Sequence, residues 1–170
     1  GATTVAITGG ELTGVVDSET VSVAMPTTGT VSSKDVENSK TVTVTKPELT
    51  GADAGNYTLA NISGVTVNIT PAPYTYNYGK TTDTATVGTA LPTSRTVSAN
   101  GVNSETVSGT LSWYTDSACT TSASGNFTET GNKTLYWKFT PDTSATNYVS
   151  EAQTGSVVYT VNALPTQDVT

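Results

Sequence analysis

An all-β chain is predicted, arranged as two tandem Ig-like β-sandwich modules, with a β-grasp-like fold as the alternative for either. Three observations carry that expectation. Threonine makes up about one residue in five, serine, valine and glycine are abundant, and leucine and methionine are scarce, so β-branched residues that suit a pleated surface dominate over helix formers. Lys40-Thr41-Val42-Thr43-Val44-Thr45 alternates strictly, which points Val42 and Val44 to a core and the threonines to water. Finally, Leu49-Thr50-Gly51-Ala52-Asp53-Ala54-Gly55-Asn56-Tyr57-Thr58-Leu59 returns in looser form as Pro141-Asp142-Thr143-Ser144-Ala145-Thr146-Asn147-Tyr148-Val149. In both places an acidic turn leads into Asn-Tyr, a strand pattern follows, and a proline (Pro71, Pro165) punctuates the chain, as in an array of modules.

The expected domains are residues 1–71 and 72–163, with 164–170 as a linker to a further module. In the first, Thr3 to Thr8, Val15-Val16, Thr20 to Met25, Val31-Ser32, Thr41 to Thr45, Tyr57 to Ile62 and Val65 to Thr70 read as short strands separated by Gly, Asp, Pro or Asn. Ser33 to Ser39 reads as a polar loop or a single helical turn. In the second, the strands are Tyr74 to Tyr78, Thr84 to Val87, Arg95 to Ala99, Val107 to Tyr114, Gly125 to Thr128, Thr134 to Thr140 and Ser156 to Val161. Leu111 and Trp113 share one strand face, as do Leu135, Trp137 and Phe139, so a period of two gathers the largest apolar residues into one interior. The joint Thr70-Pro71-Ala72-Pro73 is short and proline-rich, which favours a stiff extended connection. Leu164-Pro165-Thr166 lacks the residues that would complete a wall-sorting signal and is not read as an anchor.

Charged residues are only 12% of the chain and the net charge is -7, seven basic side chains standing among fourteen acidic ones. No stripe of phosphate-neutralising charge results, so neither nucleic acid nor an anionic membrane surface is an expected partner. Cys119 is the single cysteine, which rules out an intramolecular disulfide and makes it a small packed residue. The chain contains no histidine, which removes the commonest general base, nucleophile activator and catalytic metal ligand together. No catalysis and no cofactor are expected. There is no apolar run long enough for a membrane helix and no charged-then-apolar leader; the chain reads as an excised fragment, with Gly1 a cloning remnant.

Through Thr8 to Val16, Lys40-Thr41-Val42-Thr43-Val44, Leu49 to Leu59 and Val67-Asn68-Ile69-Thr70-Pro71-Ala72, residues 3–72 resemble the YDG repeat domain of bacterial adhesins and filamentous-haemagglutinin-like surface proteins. The Tyr-Asp-Gly that names the family is missing, so the first strand is expected to be incomplete. The second unit resembles Ig-like repeats of Gram-positive surface proteins through Phe139-Thr140-Pro141-Asp142 and Thr146-Asn147-Tyr148. Trp113 to Thr121, with Thr134-Leu135-Tyr136, is similar to part of the Listeria-Bacteroides surface repeat, a β-grasp fold. These resemblances imply stalk, spacer or adhesive roles on bacterial cell surfaces.

Asp53 and Asp142 precede the Asn-Tyr pairs, where a carboxylate accepts backbone N–H bonds and fixes a turn; without an Asp-x-Asp-x-Asp-Gly loop, calcium is not expected. Tyr57 and Tyr148 match a tyrosine corner, ring at the core edge and hydroxyl on nearby backbone. Tyr74, Tyr76 and Tyr78 alternate on one face; exposed, they would form a platform for sugar rings with Asn77 and Lys80 supplying polar contacts. Packed on the core, they would be architecture. Tyr114, Tyr136 and Lys138 point away from the tryptophans toward solvent. Lys40 and Lys46 share the parity of Val42 and Val44, the direction a buried lysine needs for an isopeptide bond to asparagine. The function expected from all of this is a non-catalytic stalk of an extracellular bacterial adhesin acting as a semi-rigid spacer, with neighbouring modules of the same chain as partners. A carbohydrate-binding module using the tyrosine strand to hold host or cell-wall glycans is the alternative.

Overall fold

The computed structural model describes residues 3–165. The chain divides into Gly1–Thr70, unit 1, and Pro71–Thr170, unit 2. Both are β, with one-turn 3-10 segments at Ala54–Asn56 and Val102–Ser104 as the helical pieces among the described residues.

Unit 1 contains β1 (Thr4–Ala6), β2 (Ser22–Val23), β3 (Thr28–Thr30), β4 (Glu37–Thr41), β5 (Leu49–Thr50) and β6 (Thr66–Ile69). Its ladders are antiparallel: β1 on β3, β2 on β5, and β4 on β6. A lone bridge from Thr30 to Thr43 joins β3 to the chain just beyond β4. The unit is therefore a four-line meander in which the second line breaks into β2 and β3 and the third into β4 and β5. Prolines mark both breaks: Pro26 and Pro47 have no N–H to give a ladder. Val15-Val16 forms no strand, because Gly14 (φ +82°) and Ser18 (φ +77°) turn the backbone on either side of it. Tyr57 to Ile62 is also coil; Tyr57 leaves the 3-10 turn and uses its ring for a different purpose, described below. Val31 and Val42 are buried as the alternation requires, and Val44 is half-buried.

Unit 2 contains β7 (Thr82–Thr86), β8 (Arg95–Asn100), β9 (Thr106–Tyr114), β10 (Gly131–Pro141) and β11 (Gln153–Asn162). All belong to one five-stranded sheet in the order β7-β11-β10-β9-β8. The last four form an antiparallel meander, and β7 lies parallel to β11 on the edge. Two facing sheets are not among the described pairings, so what stands of the expected architecture is its all-β character. The boundaries of β8 to β11 lie within a few residues of the sequence expectation, because alternation there is long and unbroken. Gly125 to Thr128 shrinks to a bridge between Asn126 and Ala90, and Tyr74 to Tyr78 to a bridge between Thr75 and Asn100. Most of the linker expected at 164–170 lies outside the described residues.

One face of this sheet is the core. Cross-strand partners Trp137 and Trp113, Phe139 and Leu111, Leu135 and Val157 all point to it, and Leu111, Phe139 and Val157 have no exposed surface at all. Two glycines make room for the rings. A Cβ on Gly155 would stand 2.3 Å from the Trp137 ring, and one on Gly109 would stand 2.5 Å from that of Phe139, so these strand glycines are sites of close aromatic approach.

Candidate functional site

The tyrosine stripe does alternate, but toward the interior. Tyr74 is buried and Tyr76 and Tyr78 are half-buried, while Thr75, Asn77 and Gly79 face out. Tyr76 stacks on Phe139 with centroids 4.6 Å apart and meets Trp137 edge-on. Tyr78 meets Trp113 edge-on at 5.1 Å, and Tyr74 tilts against Phe139. The stripe thus roofs the core face of the sheet. Of the two alternatives, an exposed platform and packing on the core, the stripe takes the second, since the sheet's inner face needs a cover and the three largest side chains of the segment supply it. Gln153 fixes the segment as a ladder rung would: its Oε1 accepts the Tyr76 N–H at 2.8 Å and its Nε2 donates to the Tyr74 carbonyl at 2.7 Å. Asn77 and Lys80 are not brought to the rings' face. Asn77 caps its own turn through the Gly79 N–H, and Lys80 pairs with Asp83 at 3.0 Å.

Burial leaves a signature in the phenols. Burial above all pushes Tyr159 up to about 12, and burial raises Tyr74 and Tyr76 as well. A phenol whose folded-state pKa exceeds its unfolded value of 10.0 gives stability that is complete below pH 10 and is lost as pH climbs toward 12. Unit 2 is therefore expected to keep its full stability to pH 10 and to lose stability progressively between pH 10 and about 12, read as a falling urea midpoint. A spectrophotometric titration should show phenolate absorbance of these rings rising only above pH 10, after that of exposed phenols. Full ionisation near pH 10 in a still-folded protein would contradict their burial.

The two Asn-Tyr turns are anchored alike. In unit 1 the Tyr57 hydroxyl accepts the Val16 N–H at 3.0 Å and donates to the Glu19 carboxylate. In unit 2 the Tyr148 hydroxyl donates to the Glu105 carboxylate at 2.9 Å. Each tyrosine N–H closes a turn on an alanine carbonyl, Ala54 or Ala145, and each acidic residue's N–H reaches a remote carbonyl, Asp53 that of Thr20 just ahead of β2 and Asp142 that of Ser108 in β9. Asp53 also accepts the Thr20 N–H at 2.8 Å. The Asp53 carboxylate therefore ties its turn to the remote segment that leads into β2 rather than to itself. The tyrosine hydroxyls meet glutamates, partners the sequence reading missed. Their signal was present: Ser18-Glu19-Thr20-Val21-Ser22 and Ser104-Glu105-Thr106-Val107-Ser108 are identical five-residue stretches. In both, the glutamate N–H bonds to a valine carbonyl three residues back, Val16 or Val102.

Lys40 is buried at 3% exposure, as its parity with Val42 requires. Its ammonium donates to the Ser33 carbonyl (3.2 Å), the Ser33 hydroxyl (2.8 Å) and the Asp35 carbonyl (2.8 Å), with the Glu37 carboxylate at 3.3 Å. None of these partners is an asparagine, so Lys40 holds the 33–37 loop, and Lys46 is exposed. Cys119 is half-buried in the loop that Asp116 organises by accepting the Thr120 and Thr121 N–H groups. Tyr114, Tyr136 and Lys138 lie half-exposed on the outer sheet face. Among the described residues, no group of three or more Asp, Glu, Cys or His could hold a metal ion, and no helix is long and apolar enough to cross a membrane.

Residues 1–64 match the family model of the YDG domain. No curated protein and no solved structure shows significant similarity to the chain.

Proposed function

We propose that this chain is a non-catalytic spacer segment of a bacterial cell-surface adhesin, extracellular, with the neighbouring modules of the same polypeptide as its partners. The observation that supports it best is that each of the two compact units carries the same tyrosine–glutamate clasp. Each clasp ties the turn after the third meander line to the turn before the second, so it bridges elements far apart in sequence. Units that close on themselves in this way can be strung in series, and length is then gained by repetition. Fold alone assigns no ligand, and the tyrosine stripe, roofing a core, lends no exposed platform to a glycan.

Stretching the 170-residue chain between handles in a force spectrometer tests the reading. Two separate unfolding events are expected, with contour-length gains in the ratio of the two unit lengths. A single gradual extension without force peaks would remove the spacer role.

A further inference from the structure

Placed register on register, the two units follow one plan. Lys40 faces Val67 in unit 1 as Lys133 faces Tyr159 in unit 2. The sequence runs on from these lysines as Lys-Thr-Val-Thr-Val in one and Lys-Thr-Leu-Tyr-Trp in the other. Val44 thus corresponds to Trp137, and β6 to β11. The shared Ser-Glu-Thr-Val-Ser stretch sets Val23 where unit 2 has Gly109.

What differs is the cover. In unit 2 the chain ahead of the meander lays Tyr74, Tyr76 and Tyr78 over Phe139, Trp137 and Trp113, then continues as β7 along the edge of β11. In unit 1 Val44, the counterpart of Trp137, lines an open apolar cavity of about 330 Å³ together with Val23, Ile7, Met25, Leu59 and Ile62. The edge of β6 that corresponds to the β7 side of β11 carries no strand among the described residues. Met25 and Ile62 are 36% and 38% exposed beside that cavity. Two hydrophobic residues of unit 1, Val31 and Val42, are buried among the described residues, against twelve in the unit 2 cluster.

We propose that the cavity and the β6 edge of unit 1 form one docking site for an extended polypeptide segment. The segment carries aromatic side chains at alternate positions, continues into a β-branched strand parallel to β6, and arrives from the amino-terminal side, as residues 72–86 do in unit 2. Backbone pairing along the edge supplies affinity, and the rings entering the cavity supply register and specificity. The site's volume fits side chains rather than a folded partner. It stands on the internal comparison of the two units and is independent of the spacer role.

The test is an extended chain in which a copy of Ala72–Leu91 precedes Gly1 of the full sequence, compared with the same extension bearing serine at its three tyrosine positions. Amide hydrogen exchange is read at Thr66 and Asn68. Their counterparts are Val158 and Thr160, and the Val158 N–H donates to Thr81 beside β7 at 3.0 Å. The tyrosine extension is expected to slow exchange at Thr66 and Asn68 by about tenfold or more, with unit 2 protection unchanged. The serine extension should leave both amides fast. Unchanged exchange with the tyrosine extension, in a chain whose unit 2 amides remain protected, would overturn the proposal. Equal protection by the serine extension would overturn it too, since the cavity would then play no part. A third contrary result is an unextended chain that sediments as a dimer with these amides already protected, which would give the site to a second copy.

Discussion

Phe139→Ala is expected to destabilise unit 2 by about 3–5 kcal/mol, the range for emptying a large aromatic from a packed core. Phe139 has no exposed surface, lies opposite Leu111 in the ladder, and carries Tyr76 stacked on its face and Tyr74 tilted against it. Gly109 is a glycine because the ring occupies the space a Cβ would take. Its removal therefore strips the sheet's inner face and loosens the segment that roofs it. Against a typical total of about 5–15 kcal/mol, that loss is a large fraction of the unit's stability. The readout is selective, since both tryptophans of the chain, Trp113 and Trp137, belong to unit 2. Urea denaturation followed by tryptophan fluorescence should show a midpoint lowered by about 1 M or more with the slope retained. A loss below about 1 kcal/mol would mean that the tyrosine segment does not depend on this ring.

Much of this core was legible because it rests on long regular strands. In β9, β10 and β11 the period of two runs through nine to eleven residues, and parity alone gathers Leu111, Trp113, Leu135, Trp137 and Phe139 onto one face. Parity was equally right about Tyr74, Tyr76 and Tyr78 sharing a side, but it cannot say which side is wet. That depended on whether a second sheet covered the first, and here a single sheet recruits its own upstream chain as the cover. Unit 1 was harder to read for a local reason. Its lines are cut by Pro26 and Pro47 into pieces of two to five residues, too short for alternation to mark their ends. The tyrosine–glutamate clasps join residues roughly 40 positions apart. Only the repeated Ser-Glu-Thr-Val-Ser stretch, read beside the repeated Asn-Tyr, pointed to them. The burial of Lys40 was legible from parity, whereas its loop partners were not, because two of them are backbone carbonyls and the third is one serine hydroxyl, in a loop with no pattern of its own.

Those partners give Lys40→Met its expected effect. Methionine keeps the apolar stem and removes the ammonium, which withdraws the donor from the Ser33 and Asp35 carbonyls and from the Ser33 hydroxyl. Stranding a buried polar group costs about 1–3 kcal/mol; Ser33 is half-buried and Asp35 exposed, so their freed carbonyls regain water in part and unit 1 should lose about 1–3 kcal/mol. The sequence counterpart provides the control. Lys133 pairs with Glu129 at 2.7 Å, but its side chain is 40% exposed and that of Glu129 is 73% exposed, a setting in which an ion pair contributes about 0–1 kcal/mol. Amide exchange at Val31 and Val42, whose N–H groups bond to Thr3 and Val65, reports unit 1 directly. Lys40→Met should speed both strongly, and Lys133→Met should leave them unchanged. If the two substitutions proved equally mild in their own units, the 33–37 loop would not depend on its buried lysine, and the fold of unit 1 would rest on its short ladders alone.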